Sequence, residues 1–149
     1  MGPLHNLPEI KGIALVAHDH RKKELLDWVK SKEEKLKLHS LYATQSTGKI
    51  ILSGTDLKIH LLHSGPLGGD MEVGQKIVQS QIHCLIFFWD PLTAMPHEPD
   101  VRALLRVATL WNIPLACNQT TADFVIESHL FRENYVRKLD QKLSQNHVF

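Results

Sequence analysis

Residues 64–70 read Ser-Gly-Pro-Leu-Gly-Gly-Asp, and the arrangement of the whole chain can be predicted from this loop. The loop separates a strand-like run at 59–63 from a helix-like run at 71–80. Glycines and a proline give it little side-chain bulk, so a ligand can approach its backbone closely. Asp70 stands at the start of the predicted helix. It is therefore either an N-cap that accepts backbone N–H groups or a functional carboxylate.

Strand-like apolar runs alternate with helix-like segments on both sides of this loop. The predicted strands are 13–17, 38–43, 58–63, 84–89 and 114–117. The predicted helices are 20–37, 49–53, 71–80, one that begins at Pro99 and one that runs from 118 to 128. Because parallel strands joined by helices use right-handed crossovers, this alternation predicts an α/β fold. We expect three α/β/α layers around a five-stranded parallel sheet. The run 84–89 is the most apolar, and we expect it at the sheet centre.

The two ends of the chain lack this periodicity. Residues 1–10 contain Pro3 and Pro8 and are predicted to be a loose arm. Residues 129–149 are charged and only weakly patterned, so we expect this tail to serve assembly rather than the folded core. The whole chain, 1–149, is predicted to be a single domain.

Composition narrows the class of protein. A length of 149 residues, with 43% hydrophobic and 22% charged residues, is ordinary for one globular domain. A net charge of +1 does not favour a nucleic-acid or membrane surface, so we expect neither partner. The sequence has no apolar window of the roughly 18 residues that a membrane span needs, and no secretory signal. We therefore expect a cytoplasmic protein in which Cys84 and Cys117 are reduced thiols.

Polar residues follow each of the predicted strands. In a parallel sheet the carboxyl ends of the strands share one edge, and ligands bind in the crevice beyond that edge. We therefore expect one site there, built from the residues that follow the strands: His18 and Asp19, Thr44 to Thr47, Ser64 and Asp70, Asp90 and His97, and Asn118.

The residue types at this edge suggest an anion site beside proton-transfer groups. Ser46-Thr47-Gly48 opens a predicted helix, and such a start suits a phosphate or carboxylate, although simple hydroxyl caps remain the alternative. Ser64, Gly65 and Lys22 add further donors and a positive charge. The chain has neither a Gly-x-x-x-x-Gly-Lys-Ser/Thr nor a Gly-x-Gly-x-x-Gly run, which argues against nucleoside triphosphates and dinucleotides. His18 and His20, with Asp19, could suggest a metal site, but further ligands would be needed and neither cysteine is placed to supply one, so no metal is predicted. Carboxylates and imidazoles beside an anion site suit proton transfer next to a carbonyl in a small phosphorylated molecule.

Several segments together resemble the methylglyoxal synthase family over about residues 11 to 128. They are Ile13-Ala-Leu-Val-Ala-His-Asp-His20, Leu41-Tyr-Ala-Thr44, Ser64-Gly-Pro-Leu-Gly-Gly-Asp70, Phe88-Trp-Asp-Pro-Leu92, Pro96-His-Glu-Pro-Asp-Val101 and Asn112-Ile-Pro-Leu115. The resemblance implies a Rossmann-like or flavodoxin-like sheet and a lyase that converts dihydroxyacetone phosphate to methylglyoxal and inorganic phosphate. It also implies no metal or organic cofactor, a homohexamer, and cooperative inhibition by phosphate.

The resemblance further implies a role for each matching residue. Asp70 is the base that takes a proton from the hydroxymethyl carbon, and His97 polarises the carbonyl and shuttles protons. Asp19 and Asp100 are supporting carboxylates, and His18 contacts the substrate. The phosphate-binding set is Lys22, Thr44, Gln45, Ser46, Thr47, Ser64 and Gly65. Asp90 and Arg106 also lie in matching segments, but the resemblance assigns them no specific role in the site.

The chain departs from the family pattern in two places. The usual Thr-Gly-Thr-Thr-Gly loop reads Thr44-Gln45-Ser46-Thr47-Gly48 here. The tail after Ser128 lacks the family's ending, which in some members sends an arginine to a neighbouring subunit. Arg132 and Arg137 are the candidates for that arginine.

Two other classes of function are open at this point. Similar domains are non-catalytic regulatory modules that bind phosphorylated metabolites or nucleotides, as in carbamoyl-phosphate synthetase. A phosphosugar-binding interaction protein would need the anion loop but not Asp70. The presence of both Asp70 and His97 favours the enzyme.

Overall fold

The computed structural model describes residues 6–93 and 98–146. Its strands are β1 (Asn6–Leu7), β2 (Gly12–Ala17), β3 (Ser40–Thr44), β4 (His60–Leu62), β5 (Cys84–Phe88), β6 (Leu115–Ala116) and β7 (Tyr135–Val136). Its helices are α1 (Lys22–Ser31), α2 (Glu33–Leu36), α3 (Gln45–Gly54), α4 (Gly69–Val78), α5 (Glu98–Leu110), α6 (Gln119–Glu127) and α7 (Gln141–Asn146). Short 3-10 turns occupy Asp19–Arg21, Gly65–Leu67 and His129–Arg132. No helix in this described part of the chain is long and apolar enough to span a bilayer.

The central sheet has five parallel strands in the order β4-β3-β2-β5-β6. The predicted fold class is therefore confirmed, but the predicted centre is wrong, because β2 and not β5 occupies it. Ile13 of β2 pairs with Leu41 on one side and with Cys84 on the other. Both β2 and β5 are completely buried and have a neighbour on each side. Apolar content alone could not distinguish the middle strand from the one beside it.

Helices cover both faces of the sheet and create two hydrophobic layers. Alternate residues of β2 point to opposite faces, as the two-residue period of a strand requires. Ile13 and Leu15 belong to one buried cluster with residues of α1, α3 and α6. Ala14 and Val16 belong to a second cluster with residues of α4 and α5. These two clusters confirm the predicted three-layer arrangement.

Some helix limits differ from the prediction. The single helix predicted over 20–37 is interrupted at Lys32, whose φ of −115° and ψ of 12° separate α1 from α2. Helix α3 begins at Gln45, four residues before the predicted start at Lys49. Thr44 to Gly48 is therefore a strand end followed directly by the first turn of a helix, and not a loop.

The two ends of the domain pack on each other, contrary to the expectation of a loose arm and a peripheral tail. Strand β1 pairs antiparallel with β7, with Asn6 opposite Val136 and Leu7 opposite Tyr135. Phe131 and Arg137 are buried, at 4% and 1% exposure. The partners lie more than a hundred residues apart in the chain, so no local periodicity could reveal the pairing. The loose-arm prediction is wrong for residues 6 and 7, and the tail contributes to the folded core.

Candidate active site

A cavity of about 230 Å³ opens at the carboxyl ends of β2, β3 and β4. This is the sheet edge where the sequence predicted a site. Most of the predicted residues contribute to its lining, which comprises Val16, Ala17, His18, Asp19, Lys22, Thr44, Ser46, Ser64, Gly65, Pro66, Asp70 and Phe87. Drug-sized ligands occupy pockets of roughly 300–1,000 Å³, so this cavity suits a smaller metabolite.

Two helix starts border one end of this cavity. Thr44 is the N-cap residue of α3, and Ser64 is the N-cap residue of the 3-10 turn Gly65–Leu67. Among the described residues, neither cap side chain accepts a hydrogen bond from its own helix. The first backbone N–H groups of α3 therefore carry partial positive charge toward the cavity, an arrangement that suits a phosphate group.

Gln45 and Thr47, both predicted to bind phosphate, are not among the described lining residues. Thr47 is buried at 2% exposure, and its Oγ1 accepts a long hydrogen bond of 3.5 Å from the Thr44 hydroxyl. Gln45 is exposed and opens α3. Ser80 and Asn112 are the non-glycine residues with positive φ in the described chain. Gln45 therefore replaces the family's glycine without adopting a left-handed conformation.

Lys22 and Asp19 form an ion pair at the mouth of the cavity. Lys22 Nζ donates to Asp19 Oδ1, and the lysine is the less exposed partner, at 15% against 79%. The hydrogen bond from Lys22, reinforced by its charge, lowers the pKa of the Asp19 carboxyl from its ordinary value. Asp19 is therefore ionised at neutral pH, and a bound phosphate would share Lys22 with it.

His18 is held in one tautomer by the backbone that follows β5. The backbone N–H of Asp90 donates to His18 Nδ1 at 3.0 Å, and His18 is 5% exposed. Because Nδ1 accepts this bond, the proton of the neutral imidazole is on Nε2. Asp90 is buried and accepts from the backbone N–H of Leu92 at 3.0 Å. Hydrogen bonds from the Leu92 backbone and the Thr93 side chain lower the pKa of the Asp90 carboxyl, with smaller contributions from nearby cations.

The two interpretations of Asp70 are separated by its place in α4. Gly68, with a φ of 103°, occupies the N-cap position, and Asp70 is the second residue of the helix. The N-cap interpretation of Asp70 is therefore wrong. Asp70 is 2% exposed and lines the cavity. A buried carboxylate that lines a polar cavity suits proton abstraction, because burial in general makes a carboxylate a stronger base.

Besides Gln45, Thr47 and Asp90, three more predicted residues are absent from the described lining of the cavity: Asp100, Arg106 and Asn118. Asn118 instead caps α6, where its Oδ1 accepts the backbone N–H of Thr121 at 2.9 Å. Asp100 and Arg106 lie on α5. His97 lies outside the described residues, directly before α5 in the chain. Sequence reasoning also missed Phe87 and Pro66, which line the cavity. Pro66 lies within the glycine-rich loop, whereas nothing in the apolar run of β5 distinguished Phe87 from its neighbours.

A larger cavity of about 440 Å³ lies at the opposite end of the sheet, beside residues that precede β2 and β6. Its described lining is mainly apolar and contains neither a carboxylate nor a histidine. The one amine there, Lys11 Nζ, already donates to the carbonyl oxygens of Pro8, Phe131 and Glu133. The described lining of this cavity therefore offers neither a carboxylate nor an imidazole for proton transfer. Elsewhere in residues 6–93 and 98–146, no three His, Cys, Asp or Glu side chains are grouped to hold a metal ion.

The fold and the polar cavity define the class of protein as an MGS-like domain, and the family model of that description matches residues 24–117. Two curated relatives are methylglyoxal synthases. The one from Leptospira interrogans is 52% identical over 134 residues, covering 90% of each chain. The one from Coxiella burnetii is 56% identical over 126 residues, covering 85% of this chain and 88% of the relative.

A solved structure, that of methylglyoxal synthase from Elizabethkingia anophelis NUHP1, superposes with a TM-score of 0.88 at 43% identity. The superposition covers 97% of this chain and 95% of the other. This chain belongs to the methylglyoxal synthase family, and the resemblance found in the sequence motifs is confirmed.

Proposed function

We propose that this chain is a lyase that converts dihydroxyacetone phosphate to methylglyoxal and inorganic phosphate without a metal or organic cofactor. The observation that carries the proposal is the cavity that holds the buried Asp70 carboxylate and two helix starts together. Identities of 52% and 56% to proteins named methylglyoxal synthase support the same reaction. The regulatory-module and interaction-protein alternatives have no comparable support.

The phosphate of the substrate is held at the end formed by α3 and the loop after β4. Backbone N–H groups at the start of α3, the hydroxyls of Thr44, Ser46 and Ser64, and the Lys22 ammonium surround this position. They neutralise the phosphate dianion and fix one end of the substrate. The hydroxymethyl end then lies toward Asp70.

Asp70 removes a proton from the hydroxymethyl carbon. The C–H electron pair becomes the C=C bond of an enediolate, and the carbonyl oxygen takes the negative charge. The Nε2–H of His18 stabilises that oxygen, a role consistent with the tautomer set by Asp90. His97 completes the proton transfers between the two enediol oxygens in the family pattern.

The enediolate then expels phosphate. The proton of the former hydroxymethyl hydroxyl moves to the former carbonyl oxygen, and the oxygen that loses it forms the aldehyde C=O. The C=C pair of the enediolate shifts to form a C=C bond to the phosphate-bearing carbon, and the C–O bond to phosphate breaks with its electron pair leaving on phosphate. The product is the enol 2-hydroxypropenal, which gains a proton on its terminal carbon and loses its enol hydroxyl proton to become methylglyoxal. Expulsion is fastest when the C–O bond stands perpendicular to the enediolate plane. The phosphate donors around Ser64 and Thr44 hold that angle.

We also propose that the chain assembles as a homohexamer, that inorganic phosphate inhibits it, and that it is located in the cytoplasm. The described structure bears on one detail. Arg137 is 1% exposed, and its Nη1 donates to the Trp111 carbonyl oxygen at 2.6 Å. Because Arg137 is buried and hydrogen-bonded within its own chain, it is unsuited to contact a neighbouring subunit. Arg132, which is exposed, is the better candidate of the two.

The test is incubation of the purified chain with dihydroxyacetone phosphate, with methylglyoxal and inorganic phosphate measured together. We expect the two products in equal amounts, with no effect of a chelator. Absence of both products would overturn the proposed reaction. Loss of activity on chelation, with recovery on adding zinc, would overturn the metal-free mechanism.

A further inference from the structure

Glu72, in the first turn of α4, forms a hydrogen bond with His63, the residue that directly precedes the loop 64–70. Glu72 Oε1 accepts a hydrogen bond from the backbone N–H of His63 at 2.8 Å, and the same oxygen lies 2.6 Å from His63 Nδ1. The described residues that line the cavity include neither side chain. Any influence of Glu72 and His63 on the cavity must therefore pass through the backbone between them and the lining residues.

The pair flanks the loop on which the proposed chemistry depends. His63 directly precedes Ser64, and Glu72 follows Asp70 by two residues. Within the loop, the backbone N–H groups of Leu67 and Gly69 both donate to the Ser64 carbonyl oxygen, at 3.0 and 2.9 Å.

The first turn of α4 is packed tightly on the end of β4. A Cβ added to Gly69 would lie 1.9 Å from the His63 carbonyl oxygen, so the two backbones are in direct contact. A shift of His63 would therefore move Ser64 relative to Asp70.

The charge on Glu72 strengthens this contact. Burial pushes the pKa of the Glu72 carboxyl upward, but hydrogen bonds from the backbone and ring of His63 outweigh it and leave the pKa below its ordinary value. Glu72 is thus ionised at neutral pH, and its bond to the His63 N–H is charge-assisted. Helix residues two apart point to nearly opposite sides, so Glu72 can hold β4 while Asp70 faces the cavity.

We propose that Glu72 is a positioning residue that, by holding His63, sets the placement of Ser64 relative to the Asp70 carboxylate. This inference rests on the proposed function, because Ser64 binds the phosphate and Asp70 takes the proton in that reaction. It assigns a role to two side chains that the chemistry itself does not use.

The test compares Glu72→Ala and Glu72→Gln, with kcat and KM measured on dihydroxyacetone phosphate. A misplacement near 1 Å costs on the order of 100-fold in rate, so we expect Glu72→Ala to lower kcat by about 10- to 100-fold. We expect a smaller rise in KM, because α3 and Lys22 still bind the phosphate. Glu72→Gln keeps the acceptor oxygen and should restore most of kcat. His63→Ala keeps the backbone N–H and should cause an intermediate loss.

The matched control is Glu133→Ala, which breaks another exposed His–Glu pair, His129–Glu133 at 3.3 Å, on the segment after α6. It should leave kcat unchanged. The positioning role would be overturned if Glu72→Ala lost no more kcat than Glu133→Ala, or if Glu72→Gln were as impaired as Glu72→Ala.

Binding of inorganic phosphate, measured by calorimetry on the same variants, separates this inference from the proposed reaction. If the wild-type chain made no methylglyoxal, the proposed reaction would fail. Weaker phosphate binding by Glu72→Ala than by Glu133→Ala would still support the positioning of Ser64, and equal binding by the two would overturn it.

Discussion

The carboxylate of Asp70 can be exchanged for an amide of the same size without removing a helix cap, because Gly68 occupies the N-cap position of α4. We expect Asp70→Asn to fold normally and to lose roughly 10²- to 10⁴-fold in turnover, the usual contribution of a general base. Phosphate binding should persist or tighten, because a negative charge beside the dianion is removed. The measurements are methylglyoxal release, deuterium exchange from solvent into bound substrate, and thermal unfolding.

Asp56→Asn is the matched control for that experiment, since Asp56 is an exposed carboxylate in the segment between α3 and β4. It should retain wild-type turnover. A folded Asp70→Asn variant with wild-type exchange and turnover would remove Asp70 from the proposed mechanism.

Lys22 offers a second prediction at the scale of one residue. It lines the cavity at 15% exposure, and we assign its charge to the phosphate throughout the reaction. Removing such uniform binding raises KM more than it lowers kcat, and we expect this result for both Lys22→Ala and Ser64→Ala. Lys23→Ala is the control, because Lys23 is 87% exposed and pairs with Asp27 instead. Unchanged KM in both cavity variants would show that the anion site is misplaced.

At the scale of elements, the start of β2 depends on a neutral histidine. The Gly12 N–H donates to His83 Nδ1 at 2.9 Å, and His83 is 9% exposed. Burial lowers the pKa of His83 to about 4, from 6.5. The unfolded chain therefore takes up a proton first as the pH falls. The contribution of neutral His83 to the free energy of unfolding is fully present above about pH 6.5 and is lost progressively as the pH falls to about 4, by on the order of 3 kcal/mol.

Urea unfolding at several pH values between 7.5 and 4.5 measures this loss. His83→Asn replaces Nδ1 with an amide oxygen that can still accept from Gly12, and it should flatten the pH dependence in this range. The control substitution His129→Asn, at an exposed histidine, should leave the pH dependence of the free energy of unfolding unchanged. An equally steep loss of stability in His83→Asn would assign the acid sensitivity to other groups.

At the scale of the whole molecule, the segment after α6 completes the hydrophobic core through Phe131 and pairs with β1 through β7. Phe131 is 4% exposed in the core, whereas Phe124 on α6 is 78% exposed. Replacing a buried phenylalanine with alanine costs about 3–5 kcal/mol, so Phe131→Ala should lower the unfolding midpoint strongly. Phe124→Ala should change stability by no more than about 0.5 kcal/mol.

A chain cut after Ser128 also loses β7 and Arg137, and it should fail to fold as a monomer. Circular dichroism and thermal unfolding of the truncated chain test this expectation. If the truncated chain had the thermal unfolding midpoint of the full chain, residues 129–149 would not belong to the folded core, as their composition predicted.

Local patterns were sufficient to predict the five parallel strands, the helices on both faces and the edge at which polar residues gather. They succeed because apolar periodicity records which face of an element is buried, and because the carboxyl ends of parallel strands share one edge. His18, Ser64 and Asp70 were found in this way.

Only the tertiary structure decided which strand is central, and that β1 pairs with β7 across the length of the chain. It also left Asp100 out of the described cavity lining and joined Glu72 to His63. These features depend on how each helix is rotated and which distant segment packs against it. The summed packing of the whole domain sets both, and no short window of sequence contains that information.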